Sequence, residues 1–341
     1  MEQTYLFGKN LDELEKYCIS NNYPKFHGNQ LFHWMYNRTI LTVEDMSNIP
    51  KKLKNDIVEN CYFESLKIKR KFSSKIDNTI KYLFETEDNK LIESVSMIEN
   101  DRHTICLSSQ IGCSVDCSFC ATGKMGIIRN LDSGEILEQI IKINQDRDIK
   151  ITNLVFMGMG EPFLNYDNVI KACKIINNPN GFNISSKKIT ISTSGILPKI
   201  KKYIIENHKF KLAISLNASN NSTRNQLIPI NKKWPIEKII SSIKNYKFSK
   251  YRPIMFEYIL MKGVNDSNDN AIELSKLLKN LNCKVNIIPY NETDGIYNRS
   301  DKIDEFIKVL KDYNKNLGVF IRWSKGEDIN AACGQLVTNN E

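Results

Sequence analysis

The chain changes its hydrophobic rhythm twice. Up to about residue 65, apolar positions recur at helical spacing. Leu11–Asn21 and Phe26–Arg38 read as short helices parted at Tyr23-Pro24, and Pro50–Asn60 as a third. Leu66–Phe72, Thr79–Thr86 and Leu91–Ile98 alternate instead, are rich in β-branched residues, and predict a small antiparallel meander with Glu87-Asp88-Asn89-Lys90 as a turn. From about residue 103, strand and helix patterns take turns. The strand-like runs are His103–Ser109, Thr152–Gly158, Lys188–Ser194, Lys211–Asn217, Met255–Met261, Lys284–Tyr290 and Gly318–Trp323. Between them lie helical patterns at Ser133–Gln145, Tyr166–Asn177, Leu197–Glu206, Pro235–Tyr246, Asn270–Leu281 and Lys302–Lys315.

Six strand–helix units with Ile-, Val- and Leu-rich strands predict a parallel sheet covered by outer helices, an α/β architecture. No glycine fingerprint follows the first strand, so a partial (β/α)6 barrel is expected in preference to a doubly wound sheet. The expected organisation is a helical N-terminal accessory domain over 1–65, a meander over 66–98 and the barrel over 99–341. Neither an internal repeat nor a low-complexity linker interrupts it.

Composition adds less. No apolar run reaches the roughly 18–20 residues of a membrane span, and Met1–Asn10 lacks a signal-peptide pattern, so a cytoplasmic protein without membrane contact is expected. Nine cysteines make an odd number for a disulfide framework and suit a reducing compartment. The net charge of +9 is compatible with a polyanionic partner. Only nine of the 48 basic residues are Arg, however, and an Asn, Ile and Lys bias runs through the whole chain, so charge alone does not single out RNA.

The candidate chemistry sits where barrels keep it, at the C-terminal ends of strands. After the first strand comes Cys113-Ser114-Val115-Asp116-Cys117-Ser118-Phe119-Cys120, three cysteines with no fourth in Ala121-Thr122-Gly123. A 4Fe–4S cluster takes four thiolates, one per iron, so three leave one iron open for chemistry. Zinc is the plainer alternative, but closed zinc sites need four nitrogen or sulfur ligands, and His27, His33, His103 and His208 are scattered. Gly158-Met159-Gly160-Glu161 closes the second strand, and later strands end in Ser192, in Ser215-Leu216-Asn217 and in Asn291. Each alone is an ordinary turn; together they make the polar rim a ligand needs.

Two further cysteines stand out by position. Cys106 lies on the first strand, and Cys333 sits in Ala331-Ala332-Cys333-Gly334, whose small residues leave a thiol accessible for nucleophilic attack. Cys18, Cys61, Cys173 and Cys283 read as core. Glu93 is either a surface carboxylate or a general base. Phe32 and Trp34 near Arg38 suit base stacking or core packing, and their helical spacing favours core.

The cysteine spacing, with Phe119 before the last cysteine, resembles the radical S-adenosylmethionine (SAM) superfamily. Beyond it, Cys106–Cys120, Gly158–Asn165, Ile189–Gly195, Pro229-Ile230-Asn231 and Asp328–Leu336 resemble the RlmN/Cfr family of RNA adenine methyltransferases, over about residues 25 to 337. Met159-Gly160-Glu161-Pro162 with Leu164-Asn165 is similar to the RlmN branch, which methylates carbon 2 of adenine, whereas the Cfr branch methylates carbon 8.

The resemblance implies residue roles. Cys113, Cys117 and Cys120 would ligate the 4Fe–4S cluster, one per subunit. Gly160, Glu161, Ser192, Ser215, Leu216, Asn217 and Asn291 would bind SAM, although some members carry His where this chain has Asn217. Cys333 would carry a methyl group, Cys106 would be its disulfide-forming partner, and Glu93 the proton acceptor. Two SAM molecules would be used in turn, one to methylate Cys333 and one to yield the radical that activates the stored methyl for attack on adenine. The implied substrates are a peptidyl-transferase-centre adenine of 23S rRNA and the adenine 3′ of the anticodon in tRNA, with a flavodoxin- or ferredoxin-type electron donor. A monomer is expected, whose helical N-terminal domain helps hold RNA. Three alternatives stay open: a Cfr-like carbon-8 enzyme, another radical-SAM class lacking the Cys106/Cys333 pair, and a zinc-binding RNA protein without catalysis.

Overall fold

In the computed structural model, residues 3–244, 253–293 and 295–338 are described. Ten strands form one continuous sheet. Seven run parallel: Arg102–Cys106, Asn153–Phe156, Ile189–Thr193, Lys211–Ser215, Ile254–Leu260, Cys283–Pro289 and Gly318–Ile321, hydrogen-bonded in that order. Helices Ser133–Arg147, Tyr166–Asn177, Leu197–Ile205, Ile236–Lys244, Asn268–Leu277 and Ile303–Tyr313 connect them. The architecture is therefore the expected partial barrel, six strand–helix units and a closing strand. The Asn153–Phe156 strand is buried at every position, as a strand covered on both faces must be. The expected helix Pro235–Tyr246 is seen over Ile236–Lys244, and its last two residues lie outside those described.

The meander forms at Leu66–Ser73, Thr79–Thr86 and Leu91–Glu99, but it is not a separate sheet. Its last strand pairs antiparallel with the first barrel strand, Val95 opposite Cys106, so the three strands extend the barrel wall. The sequence pattern marked each strand but held no sign of that pairing, which is a long-range choice of edge.

Helices Leu11–Ser20, Phe26–Tyr36 and Lys51–Asn60 build the N-terminal unit, the first opened by a reciprocal Asn10–Glu13 capping box. Phe32 is buried in the core, as its spacing favoured. The unit docks on helix Ser133–Arg147. The side chain of Glu138 there accepts from the backbone N–H of Ser65 (2.7 Å) and Leu66 (2.9 Å) and from the Tyr5 hydroxyl. Burial pushes the Glu138 carboxyl up to about 7. Among the described residues no helix is long and apolar enough to cross a membrane.

Candidate active site

A short hairpin, Gln110–Gly112 paired with Ile127–Asn130, brackets the cysteine loop and was not visible in the sequence pattern. Gly112 has φ +75°, and a Cβ there would meet the Gly126 carbonyl oxygen at 1.9 Å, so only glycine lets the hairpin close the loop. The loop is tied at both ends. Cys113 N–H donates to Gly126 (2.8 Å), Ser118 N–H to Leu227 (3.0 Å), and Ala121 N–H to Gly334 (2.8 Å). The last bond joins the cysteine loop to the segment that carries Cys333.

Cys113, Cys117 and Cys120 face one cavity of about 150 Å³, whose opposite wall holds Gly160, Glu161, Ser192, Ser215 and Asn217. Burial pushes the Cys113 thiol up to about 12, and the negative charges of Glu161 and then Cys120 add to the rise. Cys117 is raised for the same reasons, first by burial and then by Cys120 and Cys113. Three buried thiols converging on one cavity are a donor set that loses its protons only to a bound metal. The spacing fits ligands shared over several irons.

The rim residues are held by backbone more than by side chains. Gly160, at φ +94°, packs so closely that a Cβ would lie 2.5 Å from Gln110 Cβ. Glu161 accepts from Phe163 N–H (2.9 Å) and Ser194 N–H (2.7 Å), and burial raises its carboxyl. It therefore pins the second strand end to the third. Ser192 and Ser215 hydroxyls lie 3.3 Å apart on adjacent strands. Asn217, at φ +56°, uses its Oδ1 to accept from Ile259 N–H (2.9 Å), so its side chain is engaged with the fifth strand. Leu216 is buried; its N–H donates to Glu257 O (3.0 Å). The buried Glu257 lines the same cavity, and its Oε2 has no hydrogen-bond partner among the described residues, as expected of a wall made for a polar ligand. That free acceptor and the polar rim fit SAM.

Cys333 lines this cavity and a second one, about 560 Å³, in the barrel interior, where Cys106 also lies. Both thiols are free, and burial followed by the Cys333 charge pushes Cys106 up to about 12. Asn291 does not line either cavity; its Nδ2 donates to the Cys333 carbonyl (3.2 Å) and so fixes the thiol-bearing loop. Glu93 is likewise outside both. Its carboxylate pairs with Lys81 (2.9 Å) and accepts from Val337 N–H (2.9 Å), on the far side of the Cys333 segment. Burial outweighs the Lys81 charge and raises its carboxyl. Cys18, Cys61, Cys173 and Cys283 are buried away from the site, as read from the sequence.

Two cations went unnoticed in the sequence. Arg224 is fully buried and donates through Nε to Leu216 O (2.9 Å) and through its terminal nitrogens to Asn231 Oδ1 (2.8 Å), Ser215 O (3.1 Å) and Ser194 O. It gathers the third and fourth strand ends from behind the rim; burial pulls its pKa down to about 10, leaving it charged at neutral pH. Its only signal was the neighbouring Pro229-Ile230-Asn231. Arg322, just past the last strand, lines both cavities and feels the charges of Cys333, Glu257 and Cys106.

Known proteins share this arrangement. The Radical SAM superfamily profile matches residues 107–275, and that of the ribosomal RNA large subunit methyltransferase N-terminal domain matches residues 4–63. A probable dual-specificity RNA methyltransferase RlmN of Clostridium novyi is 44% identical over 332 residues, covering 96% of each chain. One from Spiroplasma citri is 40% identical, covering 99% of this chain and 98% of its own. The crystal structure of a radical SAM methyltransferase from Sphaerobacter thermophilus superposes with TM-score 0.91 at 39% identity, covering 98% of this chain and 99% of that one.

Proposed function

The chain belongs to the RlmN family of radical-SAM RNA methyltransferases, and from that premise we propose that it methylates carbon 2 of one adenine in 23S rRNA and in tRNA. The observation that carries the cysteine-based route is the position of Cys333 between the rim cavity and the barrel interior, with Cys106 opening on the same interior.

Carbon 2 of adenine is a poor nucleophile, so a methyl group cannot pass to it by simple displacement. Cys113, Cys117 and Cys120 would hold a 4Fe–4S cluster, which together with SAM would supply the carbon-radical chemistry that overcomes this. Gly160, Glu161, Ser192, Ser215, Leu216 and Asn217 form the SAM rim. Asn291 serves it by holding the Cys333 loop, and Asn217 contributes its backbone while its side chain is tied to Ile259. Cys333 is the nucleophile that stores a methyl group. Cys106 attacks the Cys333 sulfur, forming a disulfide and breaking the sulfur–carbon bond to the base; the electron pair leaves on that carbon, which takes a proton to become the methyl group, and the disulfide must be reduced before the next turnover. Glu93 takes the ring proton; because it lies behind the Cys333 segment, residues 331–337 must shift for it to reach the base.

The division at 1–65, 66–98 and 99–341 follows, with the helical unit as an accessory RNA holder. The enzyme acts as a cytoplasmic monomer fed by a flavodoxin- or ferredoxin-type donor. Nucleoside mass spectrometry of a 23S rRNA hairpin and a tRNA after reaction tests the reading. The expected product is 2-methyladenosine in both; 8-methyladenosine assigns the chain to the sister branch.

A further inference from the structure

The larger cavity reaches from Cys333 to the ends where the parallel strands begin, where Arg102 and Lys211 line it. Arg102 is the first residue of its strand, Lys211 the first of another, Lys188 immediately precedes Ile189–Thr193, and Lys284 is second in Cys283–Pro289. Four cations thus stand around the entry rim of the barrel. Among the described residues none of the four has an acidic partner within salt-bridge distance. The one rim carboxylate lining the mouth, Glu99, is already taken by Lys325 (2.9 Å). Burial lowers the Lys211 pKa, and the nearby charges of Arg102, Lys188 and Lys284 lower it further. Two large aromatic rings line the same cavity and face water: Phe320 is 49% and Trp323 60% exposed. Lys284 lies over the Phe320 ring at 5.1 Å. Uncompensated cations around exposed rings are what a single-stranded nucleic acid recognises, phosphates on the cations and bases on the rings.

We propose that this basic rim, Arg102, Lys188, Lys211 and Lys284 with Phe320 and Trp323, is the docking surface for the backbone of a single-stranded RNA loop. The target base then enters the barrel from the side opposite the cysteine loop and meets Cys333 at the junction of the two cavities. The surface is separate from the helical N-terminal unit, and the proposal rests on the reading of this chain as an RNA methyltransferase. It explains why repelling charges are kept at a barrel end that usually serves stability alone. An RNA loop also suits a mouth of this kind better than a duplex, whose bases are already stacked and paired.

The test uses the full chain with its cluster reconstituted, a fluorescent 23S rRNA hairpin, and the quadruple variant Arg102→Gln, Lys188→Gln, Lys211→Gln, Lys284→Gln. Loss of four phosphate contacts on a single strand should weaken binding on the order of 100-fold at 0.15 M salt and make the log–log salt slope shallower by about 3. Trp323→Ala, with all four cations intact, should weaken binding on the order of 10-fold while leaving that slope unchanged. SAM cleavage without RNA should persist in both variants, which shows that the site is still assembled. Unchanged RNA affinity and slope in the quadruple variant, with wild-type chain binding the hairpin, would overturn the proposal and leave the methyltransferase reading standing. Loss of binding to an acidic flavodoxin with RNA binding intact would overturn it too and assign the rim to the electron donor. Failure of the wild-type chain to bind or methylate the hairpin would instead strike at the methyltransferase reading.

Discussion

Arg224 is the side chain whose removal tests the construction of the site most sharply. Arg224→Met keeps the stem but removes every guanidinium donor from the carbonyls of Leu216, Ser215 and Ser194 and from Asn231 Oδ1. Orphaned buried acceptors cost about 1–3 kcal/mol each, so four cost roughly 4–12 kcal/mol. Methionine also escapes the burial cost of the charge, which the depression of the Arg224 pKa to about 10 puts near 3 kcal/mol. The net expectation is a loss of about 5 kcal/mol, read from urea unfolding of the parent and variant. Because those carbonyls belong to the strand ends that carry Ser215 and Leu216, SAM affinity should fall at the same time. Arg224→Lys, one donor group in place of a planar fork, should recover only part of either. A variant within about 0.5 kcal/mol of the parent, with unchanged SAM binding, would refute the claim that this guanidinium holds the rim.

The docking carboxylate of Glu138 gives a pH prediction. Its carboxyl is raised by burial to about 7 in the folded chain, so its stability contribution is complete below the unfolded carboxyl range and is lost as pH rises through 7. That is up to about 3 kcal/mol between pH 5 and 8, and Glu138→Gln should flatten this part of the unfolding profile; equal slopes in the two proteins would contradict it. Replacing Cys113, Cys117 and Cys120 together by Ala should abolish iron binding and the cluster absorbance near 400 nm, since it removes all three thiols of the loop that faces the rim cavity. Retention of a stoichiometric cluster would be incompatible with the assignment.

Much of this was legible because the barrel is a repeating local pattern. Each strand–helix unit carries its own hydrophobic period, and the polar residues after each strand are automatically gathered at one end. The cysteine loop, Gly160, Glu161, Ser192, Ser215 and Asn217 meet for that reason alone. What stayed hidden depends on contacts that sequence spacing does not encode. Arg224 looks like a surface cation on a polar helix, yet four acceptors from separate segments make its burial tolerable. Asn291 reads as a rim residue but reaches instead for the Cys333 loop. Glu93 reads as a strand carboxylate, and only the return of the chain's last residues buries it against Val337. The basic rim was invisible for the opposite reason. Its four cations are far apart in a chain that is Lys-rich everywhere, and only the parallel register brings them together.

The most direct test of the central claim separates the two thiols that share the barrel interior. Cys106→Ala retains the thiol that stores the methyl group but lacks the one that releases the product, so RNA should remain covalently attached to Cys333. Denaturing gels after reaction with the RNA hairpin should show a protein–RNA adduct for Cys106→Ala, and none for Cys333→Ala or the double variant. Full turnover by Cys333→Ala, or absence of an adduct in Cys106→Ala, would contradict the account.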